Sequence, residues 1–178
     1  MQKIKISVVS YLNSKPFIYG LKHSSLMDQI DLELDIPAVC AQKLKERKVD
    51  IGLVPIAILP ELTEKYIISD YCIGAVGKVA SVMLYSDVPL EEIKFVLLDY
   101  QSRTSVALVK VLAKKFWKIK PEWINAGVDY ENKISGSMAA VIIGDRTFGL
   151  NDKYRYAYDL AEEWQKFTGL PFVFACWT

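Results

Sequence analysis

The stretch from Ser10 to Phe17 constrains the fold of this chain most, because it turns a buried strand into a helix through a cluster of polar residues. Residues Lys3 to Val9 alternate charged residues with Ile and Val and then run apolar, which is typical of a buried strand. Asn13 or Ser14 can cap the following helix, and Pro16 is tolerated in a first helical turn. Two interpretations stay open: an ordinary capped connection, or a turn whose free N–H groups bind a ligand.

The first half of the chain continues the same alternation of strand and helix. Asp31 to Ile36 alternates polar and apolar residues, as a half-buried strand does. Pro37 then opens a helix that we expect to reach about Val49, and the segment from Asp50 to Pro55 is a short passage from that helix into a strand. The pattern β-α-β-α-β predicts an α/β fold with a parallel sheet.

A second polar turn follows the predicted strand Ile93 to Leu98, within the segment Asp99 to Ser105. The helix that starts there carries apolar residues at spacings of three and four. The hydroxyls of Ser102, Thr104 and Ser105, the helix N–H groups and the charge of Arg103 would suit a carboxylate or a phosphate. The alternative is a well-supplied helix cap with a surface arginine. The glycine spacing and lysine of a P-loop are absent from this segment.

Three further elements complete the prediction. The small apolar run Ser137 to Ile143 leads into a turn, where Asp145 either points into a cleft or caps the turn. Asp152 to Thr168 is predicted to be one helix, because Ala157, Tyr158, Ala161 and Trp164 fall on one face. Pro171 to Trp177 is predicted to be a last buried strand.

The repeated α/β pattern predicts two lobes with a ligand cleft between them. We expect the first lobe to cover residues 1–82, completed by a returning strand at 171–178, and the second to cover 83–170. The turns at Asn13 and Ser102 both follow strand carboxyl ends, which is where ligands bind in α/β folds. Both turns are therefore expected to face the cleft.

Composition excludes several classes of protein. The chain has 178 residues, of which 52% are hydrophobic and 24% charged, and this balance is typical of a soluble globular protein. A net charge of +1 without a long basic run argues against a nucleic-acid partner and gives no reason to expect a membrane surface. The sequence enters a strand directly, without a signal peptide, so we expect a cytoplasmic protein.

The cysteines and the single histidine limit the chemistry. Cys40, Cys72 and Cys176 are widely spaced and lack metal-binding neighbours, so they predict neither a zinc site nor a disulfide framework. We expect all three to be buried apolar residues. His23 is the only histidine and lies in a polar segment, so we expect it to be exposed and no metal site to form. Proton transfer must then come from carboxylates, hydroxyls or the substrate.

Five segments in order resemble the chorismate dehydratase family, which acts in the futalosine route to menaquinone. They are Ser10 to Pro16, Asp50 to Pro55, Val79 to Val82, Asp99 to Ser105 and Leu170 to Ala175. A sister enzyme of that route, dihydroxynaphthoate synthase, shares the fold but not the Tyr-Leu-Asn-Ser-Lys-Pro turn. The resemblance implies the periplasmic-binding-protein type II fold.

The resemblance also implies a reaction and a set of site residues. The reaction is loss of water from chorismate to give 3-[(1-carboxyvinyl)oxy]benzoate, by a lyase without a cofactor. Asn13 and Ser81 match the groups nearest the reacting ring. The matched segments also contain residues that would bind the substrate, and they are Ser10, Tyr11, Ser102, Arg103, Thr104 and Ser105. Asp145 lies outside these segments and is added as a substrate-binding candidate from its place in the turn after Ser137 to Ile143.

Two expectations qualify this assignment. The family continues past the position that matches Trp177 with a helical segment that completes the first lobe, whereas this sequence stops at Thr178. Apolar surface of that lobe should then be exposed, and a homodimer is one way to cover it.

The main alternative function is a non-catalytic cytoplasmic module that binds a small carboxylate.

Overall fold

The computed structural model describes residues 3–178, in which strands and helices alternate up to Pro55 and several later strands follow one another without an α-helix between them. The α-helices in this range are α1 (Lys15–Lys22), α2 (Pro37–Lys45), α3 (Arg103–Leu112) and α4 (Leu160–Thr168). The strands are β1 (Ile4–Val9), β2 (Ile30–Asp35), β3 (Ile51–Pro55), β4 (Cys72–Ala75), β5 (Val82–Ser86), β6 (Phe95–Leu98), β7 (Glu122–Asn125), β8 (Met138–Ile143), β9 (Tyr156–Asp159) and β10 (Phe172–Trp177). Short 3-10 turns join several of them.

The chain forms two compact units. Unit 1 contains the described residues up to Gly74 together with Val173–Thr178, and unit 2 contains Ala75–Phe172. The division falls after Gly74, whereas the sequence pattern placed it after Val82. Ser81 therefore belongs to unit 2.

Unit 1 is built on a five-stranded sheet in the order β2-β1-β3-β10-β4. Strand β1 pairs in parallel with β2 and β3, as the β-α-β pattern predicts. Strand β10 returns from unit 2 and pairs antiparallel with β3, and Gly52 and Thr178 exchange two backbone hydrogen bonds of 2.8 and 2.9 Å. The sheet is therefore mixed, because β10 enters from the opposite end.

The alternation of side chains along each strand gives this sheet two apolar faces. Val8 and Leu53 belong to a core with α1, whose Phe17 packs edge-on against Trp177 at 5.7 Å between ring centroids. The next residue of each strand, Val9 and Val54, packs on the other face against Cys40 and Ala41 of α2. One helix thus covers each face.

Unit 2 contains a second five-stranded sheet, in the order β7-β6-β8-β5-β9. Strand β6 pairs in parallel with β7 and β8, whereas β5 is antiparallel to both β8 and β9. Strand β5 therefore runs in the direction opposite to β6 and β8. Its first residue, Val82, lies opposite Ile143, so the beginning of β5 and the ends of β6 and β8 share one sheet edge.

The prediction of one helix over Asp152–Thr168 is wrong in its first half. Residues Tyr156–Asp159 form the edge strand β9, and only Leu160–Thr168 is helical. The spacing of Ala157, Tyr158 and Ala161 fits a helix, but Ala157 and Tyr158 pair with Tyr85 and Leu84 of β5. Tertiary pairing decides the conformation of this short segment.

The expected burial of the cysteines is confirmed for two of them and wrong for the third. Cys40 and Cys176 are buried, but Cys72 is exposed because β4 is an edge strand with an open face. His23 is exposed at the end of α1, as expected, and stacks on Tyr19 with 4.0 Å between ring centroids.

Unit 1 also carries an open apolar groove of about 470 Å³. Its apolar side chains include Phe17, Leu21, Ile68, Tyr71 and Trp177. Tyr71 and Ile68 are 73% and 52% exposed. Apolar surface is thus open to solvent on this unit, and self-association through it stays a prediction.

We expect the native chain to be alkylated by iodoacetamide at Cys72 well before Cys40 and Cys176. Burial raises the pKa of Cys40 to about 11, so about one thiol in a thousand is ionised at pH 8. Peptide mass spectrometry after timed labelling measures each site. Cys72→Ser is the control and should leave only slow labelling. Equal labelling rates at Cys40 and Cys72 would contradict the described packing.

Candidate functional site

The turn of unit 1 is held by backbone hydrogen bonds to its neighbours. The N–H of Ser10, directly after β1, donates to the carbonyl of Asp35 at 2.9 Å. A 3-10 turn over Leu12–Ser14 follows, in which the N–H of Ser14 donates to the Tyr11 carbonyl at 3.1 Å. Pro16 then occupies the first turn of α1, as predicted. The polar turn is thus fixed to the ends of β1 and β2.

Neither Asn13 nor Ser14 caps α1 with its side chain, so that prediction is wrong. Ser14 already has helical backbone angles because the 3-10 turn leads into α1, and its hydroxyl donates to Asn13 Oδ1 at 3.3 Å. Ser14 is fully buried, whereas Asn13 is exposed. The side-chain amide nitrogen of Asn13 donates to no other residue within 3–178, so it is available to a ligand.

The turn of unit 2 begins where β6 ends. Ser102 is the N-cap of α3, as the sequence suggested: its Oγ accepts the Ser105 N–H at 3.0 Å and donates to the Ser105 hydroxyl at 2.8 Å. Ser102, Thr104 and Ser105 are buried, and Arg103 is half-buried. The Ser102 hydroxyl therefore supports the helix, and binding of an anion at this turn stays a prediction.

Beneath this turn lies a buried network that the sequence did not reveal. Asp99 is 3% exposed at the end of β6, and its Oδ1 accepts the Gln101 N–H at 2.7 Å. Its Oδ2 accepts the Tyr130 hydroxyl at 2.7 Å and the Nη2 of Arg146. Arg146 also donates through Nη1 to Glu131 at 2.8 Å. The network ties the Ser102 turn to the turn after β8.

Burial and charge set the protonation of this network. Burial raises the pKa of Asp99, against the opposing effects of the Tyr130 hydrogen bond and the Arg146 charge. Burial and the Asp99 charge both raise the pKa of Tyr130, which stays a neutral donor. Burial alone would lower the pKa of Arg146, but Asp99 and its other neighbours raise it. Arg146 therefore remains a cation.

Asp145, the residue selected from the sequence, lies beside this network without joining it. It is exposed in the 3-10 turn Gly144–Thr147, and its backbone carbonyl accepts the Phe148 N–H at 3.2 Å. Its carboxylate makes no hydrogen bond or ion pair within the described residues. Arg146 follows β8 and Asp99 follows β6, and these two strands are parallel neighbours. Because the carboxyl ends of neighbouring parallel strands meet, the strand order would have placed the two residues close together.

Ser81 lies at the same edge of the unit 2 sheet. It is half-buried, precedes β5, and its carbonyl accepts the Gly144 N–H at 2.8 Å. The structure thus brings Ser81, Asp145 and the Ser102 turn to one sheet edge. Ser10, Tyr11 and Asn13 lie together in unit 1.

Metal-binding clusters and membrane-spanning helices are both missing from the described residues. Within 3–178, no group of three or more His, Cys, Asp or Glu side chains is arranged to hold a metal ion. None of the helices described there combines the length and the hydrophobicity needed to cross a bilayer.

The fold is shared with solved proteins of low sequence identity. Protein AF1704 from Archaeoglobus fulgidus aligns with a TM-score of 0.71 at 14% identity, over 98% of this chain and 67% of that one. An ABC transporter protein from Parabacteroides distasonis aligns with a TM-score of 0.57 at 17% identity, over 99% and 65%. The ligand-binding component of an ABC-type import system from Staphylococcus aureus gives 0.55 at 16%, over 99% and 65%. The chain spans about two thirds of the length of these structures.

These similarities define the class of fold, and a family match defines the kind of protein. The predicted α/β fold of the periplasmic-binding-protein type is confirmed. The chain belongs to the menaquinone biosynthesis family, whose model matches residues 4–178. This match confirms the resemblance drawn from the five motifs and supports a role in menaquinone biosynthesis.

Loss of the Arg146 charge should destabilise unit 2 strongly. Arg146→Met leaves the buried Asp99 carboxylate without its cation, and we expect a loss of about 3–5 kcal/mol in the free energy of unfolding. Adding Asp99→Asn should recover part of this loss, because the two residues interact directly. Urea denaturation followed by circular dichroism measures both.

The matched control for this prediction is Arg155→Met, which removes an exposed arginine that packs over Tyr156 at 5.6 Å. It should cost less than about 1 kcal/mol. Equal losses for the two arginine variants would show that the buried network does not hold this edge of the sheet.

Proposed function

We propose that this chain is a chorismate dehydratase, a lyase that converts chorismate to 3-[(1-carboxyvinyl)oxy]benzoate and water in the futalosine route to menaquinone. The observation that carries this proposal is the family match, which runs through all five motifs. We propose a cytoplasmic location for the reaction.

The main catalytic requirement of this reaction is correct positioning of the substrate. The C–H bond beside the enolpyruvyl ether breaks, its electron pair enters the ring, and the neighbouring hydroxyl leaves and takes up a proton to become water. The ring becomes aromatic, which supplies a large part of the driving force. A protein that holds the dianion in the eliminating geometry can therefore accelerate this step.

The described geometry supports a role for Asn13 in this elimination. Its side-chain amide is exposed and its nitrogen is not engaged by another described residue. It could donate to the departing hydroxyl or orient the enolpyruvyl group. The neighbours Ser10 and Tyr11 would bind the substrate around it, on a turn that is fixed to β1 and β2.

In unit 2 we assign Ser81 to the reacting ring and the α3 N-terminus to a substrate carboxylate. The positive end of a ten-residue helix favours an anion there. Thr104 and Ser105 lie in its first turn, and Arg103 would add a charge-assisted hydrogen bond. Asp145 is a peripheral contact in this assignment, since its exposed carboxylate carries the same sign as the substrate.

The alternative is a module that binds a small carboxylate and releases it unchanged. This alternative is supported by one of the fold neighbours, which is the ligand-binding component of an ABC-type import system. The two functions differ in whether chorismate is altered after binding.

We expect Asn13→Ala and Ser81→Ala each to lower kcat for chorismate by about a hundredfold or more, as loss of one transition-state donor does in other enzymes. The aromatic product is followed by absorbance and identified by mass spectrometry. Both variants should keep the circular dichroism spectrum and the unfolding midpoint of the unchanged chain.

Matched controls exist for both substitutions. Asn125→Ala changes an exposed asparagine at the end of β7, and Ser137→Ala changes a half-buried serine directly before β8. Both should keep full activity. Full activity in the Asn13 and Ser81 variants would remove these two residues from the site. Chorismate binding without product in the unchanged chain would favour the binding module.

Arg103 is expected to act on substrate affinity. Arg103→Ala should raise KM for chorismate about tenfold and change kcat little, because the lost hydrogen bond to a carboxylate is present before the transition state. Arg103→Lys should recover part of the affinity. Steady-state kinetics separates the two constants. A fall in kcat at unchanged KM would contradict a role in carboxylate binding.

A further inference from the structure

Asp159 is a buried carboxylate with an unusual set of partners. It is 2% exposed, and it forms no ion pair within residues 3–178. Its Oδ1 accepts the N–H groups of Ala161 and Glu162 at 3.0 and 3.2 Å, which makes it the N-cap of α4. Its charge is therefore balanced by backbone donors.

The second carboxylate oxygen of Asp159 bonds to residues outside α4. Oδ2 accepts the N–H groups of Val79 and Ala80 at 2.8 and 2.6 Å, across 80 and 79 residues of sequence. A helix cap needs only the first pair of bonds. The second pair fixes the segment that leads directly into Ser81.

This segment has a backbone that needs such support. Ala80 has a φ of 59°, in the left-handed region that residues with a Cβ rarely adopt. Such conformations persist only when the surroundings enforce them, and they are frequent at functional sites. Asp159 holds the N–H of Ala80, and the carbonyl of Ser81 accepts the Gly144 N–H at 2.8 Å. The backbone at Ser81 is thus fixed from both sides.

We propose that Asp159 is a positioning residue that holds Ser81 in place for the substrate by fixing the backbone of Val79 and Ala80. This inference rests on the proposed function, because Ser81 is assigned to the reacting ring there. Asp159 itself does not touch the substrate. Its carboxylate joins the N-terminus of α4 to the loop before β5.

Asp159→Asn separates the two roles of this side chain. Asparagine is as good an N-cap as aspartate, so its oxygen can still accept from Ala161 and Glu162. Its amide NH₂ group then faces the N–H groups of Val79 and Ala80, and donors cannot bond to donors. The helix should stay intact while the loop before Ser81 is released.

We expect Asp159→Asn to lower kcat about ten- to a hundredfold with little change in KM. Hydrogen–deuterium exchange should show fast exchange at Val79 and Ala80, with slow exchange retained at Ala161 and Glu162. Ala80→Gly is the matched control: glycine adopts positive φ without strain, so this variant should keep both activity and protection.

A double-mutant cycle tests whether Asp159 acts through Ser81. In the Ser81→Ala background, Asp159→Asn should lower turnover no further, because the group that it positions is gone. Multiplying losses would show a general structural role and overturn the proposal. Unchanged exchange at Val79 and Ala80 in Asp159→Asn would overturn it as well.

Failure of the proposed function gives a different result. If the unchanged chain binds chorismate without converting it, the dehydratase assignment fails, and the same cycle is measured on the Kd by calorimetry. Non-additive losses in affinity would then support the positioning role, and additive losses would overturn it. If the unchanged chain does not bind chorismate, both proposals fail.

Discussion

The candidate site depends on one constraint, which is that a buried carboxylate must have its oxygen atoms satisfied by donors. Unit 2 meets this constraint twice at the same sheet edge. Asp99 is satisfied by a hydroxyl, a guanidinium and a backbone N–H, and Asp159 by four backbone N–H groups. Each set of bonds fixes a segment that carries candidate site residues. The buried hydrogen bonds that stabilise unit 2 therefore also position the candidate site.

Sheet topology explains why these turns meet. In an all-parallel sheet, the start of β5 would lie at the edge opposite to the ends of β6 and β8. Because β5 runs antiparallel to β8 and β9, Ser81 comes to the edge where Asp99 follows β6 and Asp159 ends β9. The reversal of one strand therefore adds the segment before β5 to the edge that carries the candidate site residues, whereas α/β folds normally build such an edge from strand carboxyl ends alone.

Local pattern predicted much of this architecture because local chemistry determines it. Ser102 caps α3, which is one of the two interpretations that the sequence left open for this turn. Strand β9 was missed because its four residues are too few to show alternation. The pair Asp159 and Glu162, three residues apart, is a cap signal that would have placed the start of α4 correctly. Contacts between Asp99 and Arg146, 47 residues apart, depend on strand order and leave no local trace.

The position of β10 in the sequence determines when the unit 1 sheet can be completed during synthesis. Unit 2 is a continuous segment, but unit 1 takes its fourth sheet position from Val173–Thr178. In that sheet β4 neighbours only β10, and β3 has β10 on one side. During synthesis, strands β1 to β3 can pair early, but the free side of β3 stays open to other chains until unit 2 has been made and β10 is available to pair with it.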